Sequence, residues 1–497
     1  MSVLVPLPVV VPLGAAALSL LLFRWRNAQR VVSLLGVATA LAASVALLIF
    51  VGRDGIQVAE IGGWEAPFGI ALVADEFATI MLTVATIAVL AVLIYSLGHE
   101  GHDRVGGYFH PAYLALTAGV TGAFLTGDLF NLFVFFEIML TASYVLITIR
   151  GGREQVRHGM TYVVISLVSS ALFVLGLAFI YTELGTVNMA DLAVRIDEIP
   201  GEVRTALGLF FFVVFGIKAA IFPLFFWLPD SYPTAPTPVT AIFAGLLTKV
   251  GVYAIIRTQT LIFHTGDTSN LLLIIAGLTM VVGVIGAIAQ NDVKRILSFH
   301  IVSQIGYMIF GLALFTLAGL AGAILYTVHH ILVKTSMFLV GGLIEVKAGT
   351  AALSKLGGLL RKVPWLAVLF LLPALSLAGL PPFSGFVAKL SLIEAGFGAT
   401  AYTITAISLA VSVLTLFSMT KIWAGVFWGK PATVTAGDIR PSYTTKHGSV
   451  PVMIFATVSL VIITLAVAVG AESIYELAQS AANSLLDKTG YIKAVLG

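Results

Sequence analysis

Apolar residues run along this chain in long stretches, interrupted at short intervals by Gly, Pro and charged residues. A helix rises about 1.5 Å per residue, so roughly 20 apolar residues cross a hydrocarbon core of about 30 Å. Stretches of this kind centre near residues 13, 41, 85, 118, 139, 171, 215, 250, 279, 307, 332, 380, 414 and 461. Because backbone polar groups must be satisfied internally in lipid, the pattern predicts an all-α polytopic membrane protein with about fourteen transmembrane helices. The first run, Val3 to Phe23, has no basic residue ahead of it and is followed by Arg24, Arg26 and Arg30. That order is the reverse of a cleaved signal peptide, so the run is expected to remain as a span. The segment from Ala471 onward differs in kind. Ile474, Leu477, Ala478, Ala481 and Leu485 recur at helical spacing with Glu472, Glu476 and Gln479 between them, which predicts a helix lying along a surface. It reads either as a peripheral cap or as a partner contact.

Composition agrees with the pattern. Of 497 residues, 59% are hydrophobic and 10% charged, with a mean hydropathy of +1.04, well outside the range of soluble domains. Sorting Lys and Arg by predicted loop puts seventeen in odd-numbered loops and four (Arg53, Arg195, Arg204, Arg257) in even-numbered ones. The positive-inside bias then places odd loops in the cytoplasm and both termini on the outer side of a prokaryotic plasma membrane. The net charge of +3 is too small to suggest nucleic-acid binding, and the absence of Cys removes disulfides and thiolate sites. No phosphate-cradling glycine loop, HExxH or GxSxG is present, which argues against a hydrolytic or nucleotide-driven enzyme. No cofactor and no metal is expected.

Against this apolar background four lysines stand out. Lys218, Lys249, Lys334 and Lys389 lie inside or at the edge of predicted spans, and Glu137 lies near the middle of span five. Each such charge costs about 2.5–3.5 kcal/mol on insertion scales, so a row of them points to an ion pathway. Lys218 is the candidate cation for Glu137. Desolvation disfavours a buried ammonium, so Lys249 is a candidate for giving and taking a proton. In span eleven, YTVHHILVKTS places His330 and Lys334 on one helix face, with His329 one step round. Imidazole relays protons near neutrality, so this cluster is a candidate link between the two halves of the chain. Ser303, Gln304 and Tyr307 in span ten add polar groups, whereas Asp75 and Glu76 at the start of span three read as interfacial.

Two spans are broken in matching places. IKAAIFPLFFWLPDSYP carries Pro223 inside span seven, and LAGLPPFSGFVAKL carries Gly379, Pro381, Pro382 and Gly385 inside span twelve. The breaks are five spans apart. If spans four to eight form one unit (residues 110–262) and nine to thirteen a second (268–430), each break falls in the fourth helix of its unit. An odd number of spans per unit inverts the second copy, the arrangement that brings broken helices to an ion site. Residues 1–109 would then hold spans one to three, and 431–497 span fourteen with the amphipathic tail.

These stretches resemble the antiporter-like family shared by respiratory complex I, membrane-bound hydrogenases and the multisubunit Mrp-type Na+/H+ antiporters. The resemblance runs from about residue 70 to 430 and rests on FNLFVFFEIM, KAAIFPLFFWLPDSYP, LLTKVGVYAI, NDVKRILSFHIVSQIGYM, HHILVK and GLPPFSGFVAKL. It implies a fourteen-helix fold with inverted five-helix repeats. It further implies that Glu137 modulates Lys218, that Lys249 is a central protonatable site, that His329, His330 and Lys334 join the halves, and that Lys389 is the terminal proton site. One class of complex I subunit carries glutamate where Lys389 stands, and another continues into a long lateral helix that this chain lacks. KIWAGVFWGK and FAGLLTKVGVYAIIRT are most similar to the D-type branch of the Mrp antiporters. Phe225 and Phe226 depart from relatives that carry a histidine after the first break. The expectation is therefore a proton-translocating subunit of a Na+/H+ antiporter, working with other membrane subunits and coupled indirectly to Na+. The alternative is a proton-pumping membrane subunit of complex I or a hydrogenase. A scaffold without transport would have no use for the buried charge.

Overall fold

The computed structural model describes residues 3–99, 107–263, 268–429 and 449–497. Arg104, Lys430, Arg440 and Lys446 of the loop charges, and the expected boundary at residue 430, lie outside the described residues. The chain begins with α1 (Leu7–Leu21) and α2 (Arg26–Asp54), and a short antiparallel hairpin, β1 (Gln57–Glu60) and β2 (Ala71–Ala74), leads into α3 (Glu76–Gly98). Next come α4 (Phe109–Leu125), α5 (Leu129–Thr148), α6 (Arg153–Leu184), the short α7 (Met189–Arg195) and α8 (Gly201–Ala219). After a break follow α9 (Leu228–Ser231), α10 (Thr237–Ile242) and α11 (Thr248–Leu261), then α12 (Ser269–Ala289), α13 (Val293–Ala313) and α14 (Leu317–Ala348). The chain closes with α15 (Leu359–Lys362), α16 (Pro364–Ala378), α17 (Ser384–Gly398), α18 (Tyr402–Val426), α19 (Val450–Val469), α20 (Ala471–Leu486) and α21 (Thr489–Leu496).

Among the described residues nine helical stretches are long and apolar enough to cross a membrane. They sort into two populations. The stretch Thr237–Leu261 is buried along its whole apolar window and α13 along 94% of it, whereas α19 and α2 bury only 33% and 39%. The long α14 is buried without interruption from Gly319 to Glu345. The inner helices α11, α13 and α14 are therefore surrounded by protein, and they carry most of the intramembrane polar groups.

A local arrangement occurs twice. Asp128 caps α5 by accepting from Asn131 N (2.7 Å), and Asp292 caps α13 by accepting from Arg295 N (3.1 Å). Each capped start pairs in an isolated bridge with a distant loop, at Asn188 and at Ala352. The preceding helices cross closely at glycine: a Cβ on Gly119 would fall 2.7 Å from Met139 N, and one on Gly283 would meet Ser303 N. Gly122 faces Phe135 as Gly286 faces Phe299. All these pairs are separated by the same number of residues, and the segments share the spelling GVxGAxxxxD.

Both expected breaks are present. α8 stops at Ala219, where Ala220 turns left-handed (φ 60°), and α16 stops at Ala378, where Gly379 does the same (φ 86°). In each, the next amide bonds back into the last turn, Ile221 N to Gly216 O and Leu380 N to Leu375 O, which satisfies carbonyls that would otherwise be exposed. Pro223 follows the first stop, and Pro381 and Pro382 follow the second, before α17 restarts at Ser384. A third interruption was not expected: Phe243–Leu247 winds as a π-helical turn between α10 and α11.

The tail helix α20 packs Ala478, Ala481, Ala482 and Leu485 inward, against α14, α3 and α11. Ser480 and Ser484 donate to Glu76, at 2.7 and 3.1 Å.

Candidate proton-transfer site

The first group of polar side chains is built by α5, α6 and α8. Lys218, in the last turn of α8, is 7% exposed and donates to Ser170 Oγ at 3.2 Å. The same Ser170 hydroxyl donates to Glu137 Oε1. The expected pair thus exists as a bridged one, with the α6 serine between ammonium and carboxylate. Lys218 Nζ also lies 5.0 Å from the centre of the Phe136 ring, a cation–π distance. Beside it a small cavity of about 20 Å³ reaches to Leu247 on the π-turn, room for about one water.

Lys249 follows directly. A π-turn frees a carbonyl from the regular ladder, and Lys249 Nζ takes the one at Ala244 (2.6 Å) together with Thr248 Oγ1 (3.2 Å). The unexpected interruption therefore serves the lysine: it supplies an acceptor at a depth where a straight helix would offer none. The π-turn packs on α14, where Lys249, Lys334, His329 and His300 all lie close enough to His330 to act on it electrostatically. His330 and Lys334 are fully buried, yet neither His330 ring nitrogen nor Lys334 Nζ has a hydrogen-bond partner among the described residues. Buried groups of this kind are places for water.

From α14 the row continues to the second break. His329 Nδ1 meets Ser384 Oγ (2.9 Å) at the start of α17, and Ser384 meets Ser376 of α16 (3.2 Å). Tyr326 donates to Gln304 and stacks on Tyr307, with ring centres 5.1 Å apart. Lys389 Nζ lies 5.1 Å from that Tyr307 ring and donates to Ala378 O (3.1 Å), the carbonyl left open by the break, and to Ser412 Oγ (2.7 Å). Ser303 does not join the row, because its hydroxyl bonds Met280 O across the α12–α13 crossing. Each candidate side chain carries an amine, imidazole or carboxyl group that can bind and release a proton. Among the described residues no cluster of His, Asp and Glu could hold a metal ion.

Residues 126–415 match the family described as NADH:quinone oxidoreductase/Mrp antiporter, TM. The chain belongs to that family. This member of the NADH:quinone oxidoreductase/Mrp antiporter family is 47% identical to the D-type subunit of the Na(+)/H(+) antiporter of Alkalihalophilus pseudofirmus over 100% of both chains. It is 41% identical to the protein of the same name from Bacillus subtilis, again over the whole of both. A chain in the structure of the Mrp complex from a Dietzia species superposes with a TM-score of 0.92 at 35% identity, covering 100% of each.

Two buried ion pairs in this family member depart from what the sequence leads one to expect. Arg257 reads as a loop charge and Asp75 as an interfacial one. They instead form a bidentate pair (2.5 and 2.7 Å), 4% and 3% exposed, joined by Tyr253 Oη and facing Tyr491 of α21. The apolar run ends before Arg257, but α11 does not, because Asp75 satisfies the guanidinium inside the protein. Lys294 also reads as a loop charge, yet it is buried and pairs with Glu345 at 2.7 Å.

Proposed function

We propose that this chain is the D-type, proton-translocating subunit of a multisubunit Na+/H+ antiporter in a prokaryotic plasma membrane. Glu137, Lys218, Lys249, His329, His330, Lys334 and Lys389 form its proton path. The observation that carries this reading is the succession of titratable groups from α5 to α17, half-buried at Glu137 and buried at the rest, with hydroxyls, freed carbonyls and unpaired nitrogens among them. Full-length relatives named as D-type subunits of Na(+)/H(+) antiporters favour ion exchange over the oxidoreductase alternative. In this reading fourteen spans cross the membrane, both termini lie outside, and residues 110–262 and 268–430 are two inverted five-helix repeats. The recurrence of the capped-helix arrangement supports the repeat. At the Pro381–Pro382 break Lys389 takes the Ala378 carbonyl, whereas Lys218, just before the Pro223 break, takes the Ser170 hydroxyl instead.

In the mechanism, a proton moves between neighbouring groups while each side chain returns to its starting state. Two unit charges about 4 Å apart at an effective dielectric near 20 interact by roughly 4 kcal/mol, and by less when farther apart, so charging one lysine biases the next. The test is Na+-dependent proton transport in inverted vesicles carrying the whole complex. Lys249→Ala and Glu137→Ala are expected to abolish it while assembly survives, and parental transport in both would overturn the reading.

A further inference from the structure

The row of lysines and histidines lies in the interior, and a second polar feature lies on the side of the basic loops. Four segments from odd-numbered loops converge on a cleft of about 290 Å³. Glu154 and His158 at the start of α6, Asp230 of α9 and Arg295 of α13 stand around its mouth, with Arg295 and Asp230 paired at 2.9 Å. Its floor is the Lys294–Glu345 pair, 3% and 1% exposed. A buried ion pair at the bottom of a wet polar cleft is costly if it serves stability alone, since well-packed apolar residues do as well there.

Glu345 also points onward. Thr237 Oγ1 donates to Glu345 Oε2 at 3.2 Å, and Tyr95 Oη donates to Leu339 O one turn and a half back along α14 (3.1 Å). Where these two side chains approach α14 the helix carries Gly342; a Cβ there would fall 2.5 Å from Tyr95 Oη and 2.3 Å from Thr237 Cγ2. Farther along, Gly245 lets the π-turn pack close on Thr335, since a Cβ there would fall 2.2 Å from Thr335 Oγ1. Thr335 is the neighbour of Lys334. Glu345 and Lys334 lie eleven residues apart, about 16 Å along the helix, and the hydroxyls of Thr237, Tyr95 and Thr335 stand along this stretch.

We propose that this cleft is the port through which protons pass between the basic-loop side and the buried row, with Glu345 as the transferring group. The carboxylate takes one proton from water in the cleft and gives one to the Thr237–Tyr95 seam, returning to its ionised, Lys294-paired form. Lys294 is a positioning residue: it holds the carboxylate and balances its charge between transfers.

This inference rests on the proton-path reading, and the experiment separates the two. In inverted vesicles with the whole complex, the joint substitution Glu345→Gln with Lys294→Met removes both charges of the pair together. A structural pair would tolerate it. A port would lose at least about tenfold in Na+-dependent proton transport per assembled complex. Parental transport overturns the port, while loss of transport in a parallel Lys249→Ala complex shows that the path itself stands. Should the joint variant fail to assemble, a thiol placed at the cleft decides, because the chain has no native cysteine. Thr234→Cys vesicles treated with a charged, membrane-impermeant methanethiosulfonate on the basic-loop side should transport several-fold more slowly than untreated ones, but not when treated from the other side. Equal rates with and without reagent overturn the proposal.

Discussion

The two broken helices hold their lysines differently. At the first break, Lys218 shares the Ser170 hydroxyl with a carboxylate, Glu137, which is itself half-buried. At the second, Lys389 has a carbonyl, a hydroxyl and an aromatic face, and no carboxylate among the described residues bonds to it. One proton passing through Ser170 neutralises both partners of the first site and leaves its net charge unchanged. A proton leaving Lys389 changes the charge of its site by one, and the neighbouring histidines feel it. On the proposed path, the first site would hold a proton internally and the second would release it.

The largest expected effect is at Lys389. Lys389→Ala should reduce Na+-dependent proton transport in vesicles to background. Lys389→Arg should not restore it, because guanidinium keeps its proton; rescue by arginine would mean that only fixed charge matters there. Next is Ser170→Ala, which removes the bridge at the first break alone. A hydrogen bond to a charged group contributes about 1.5–3 kcal/mol, so a transport loss of tenfold or more is expected by the same assay. Smaller still is Phe136→Leu: a cation–π contact of about 1 kcal/mol should cost several-fold at the first site, and a matching loss from Tyr307→Leu would show that the two sites use aromatic faces alike. Arg257→Met lies outside the row. It strands Asp75 in the interior at about 3–5 kcal/mol, so thermal denaturation of the complex should shift downward while transport per folded complex holds.

What the sequence made readable follows from cost. A lysine or glutamate in an apolar run is expensive, so Glu137 and the four lysines announced themselves, and proline in a span leaves few alternatives to a break. Ser170 is cheap anywhere in a helix and lies far in sequence from both groups it joins, so nothing marked it. Asp75–Arg257 and Lys294–Glu345 sit at the ends of apolar runs, where charge is ordinary, and only packing of distant segments buries them. The π-turn had a faint signal in Gly245 at most. The spelling GVxGAxxxxD is present twice and fixes the register of the recurrence, but its glycines mark helix crossings and carry no charge to set them apart.

Lys334 lies between the two breaks with no hydrogen-bond partner among the described residues, and its removal shows whether one path joins them. Lys334→Met keeps most of the side-chain volume and removes the exchangeable proton. Measured as Na+-dependent proton transport per assembled complex, the expected result is background, with both Lys218 and Lys389 intact. Transport at the parental rate would mean that protons cross without passing α14 and that the two breaks are not joined through it.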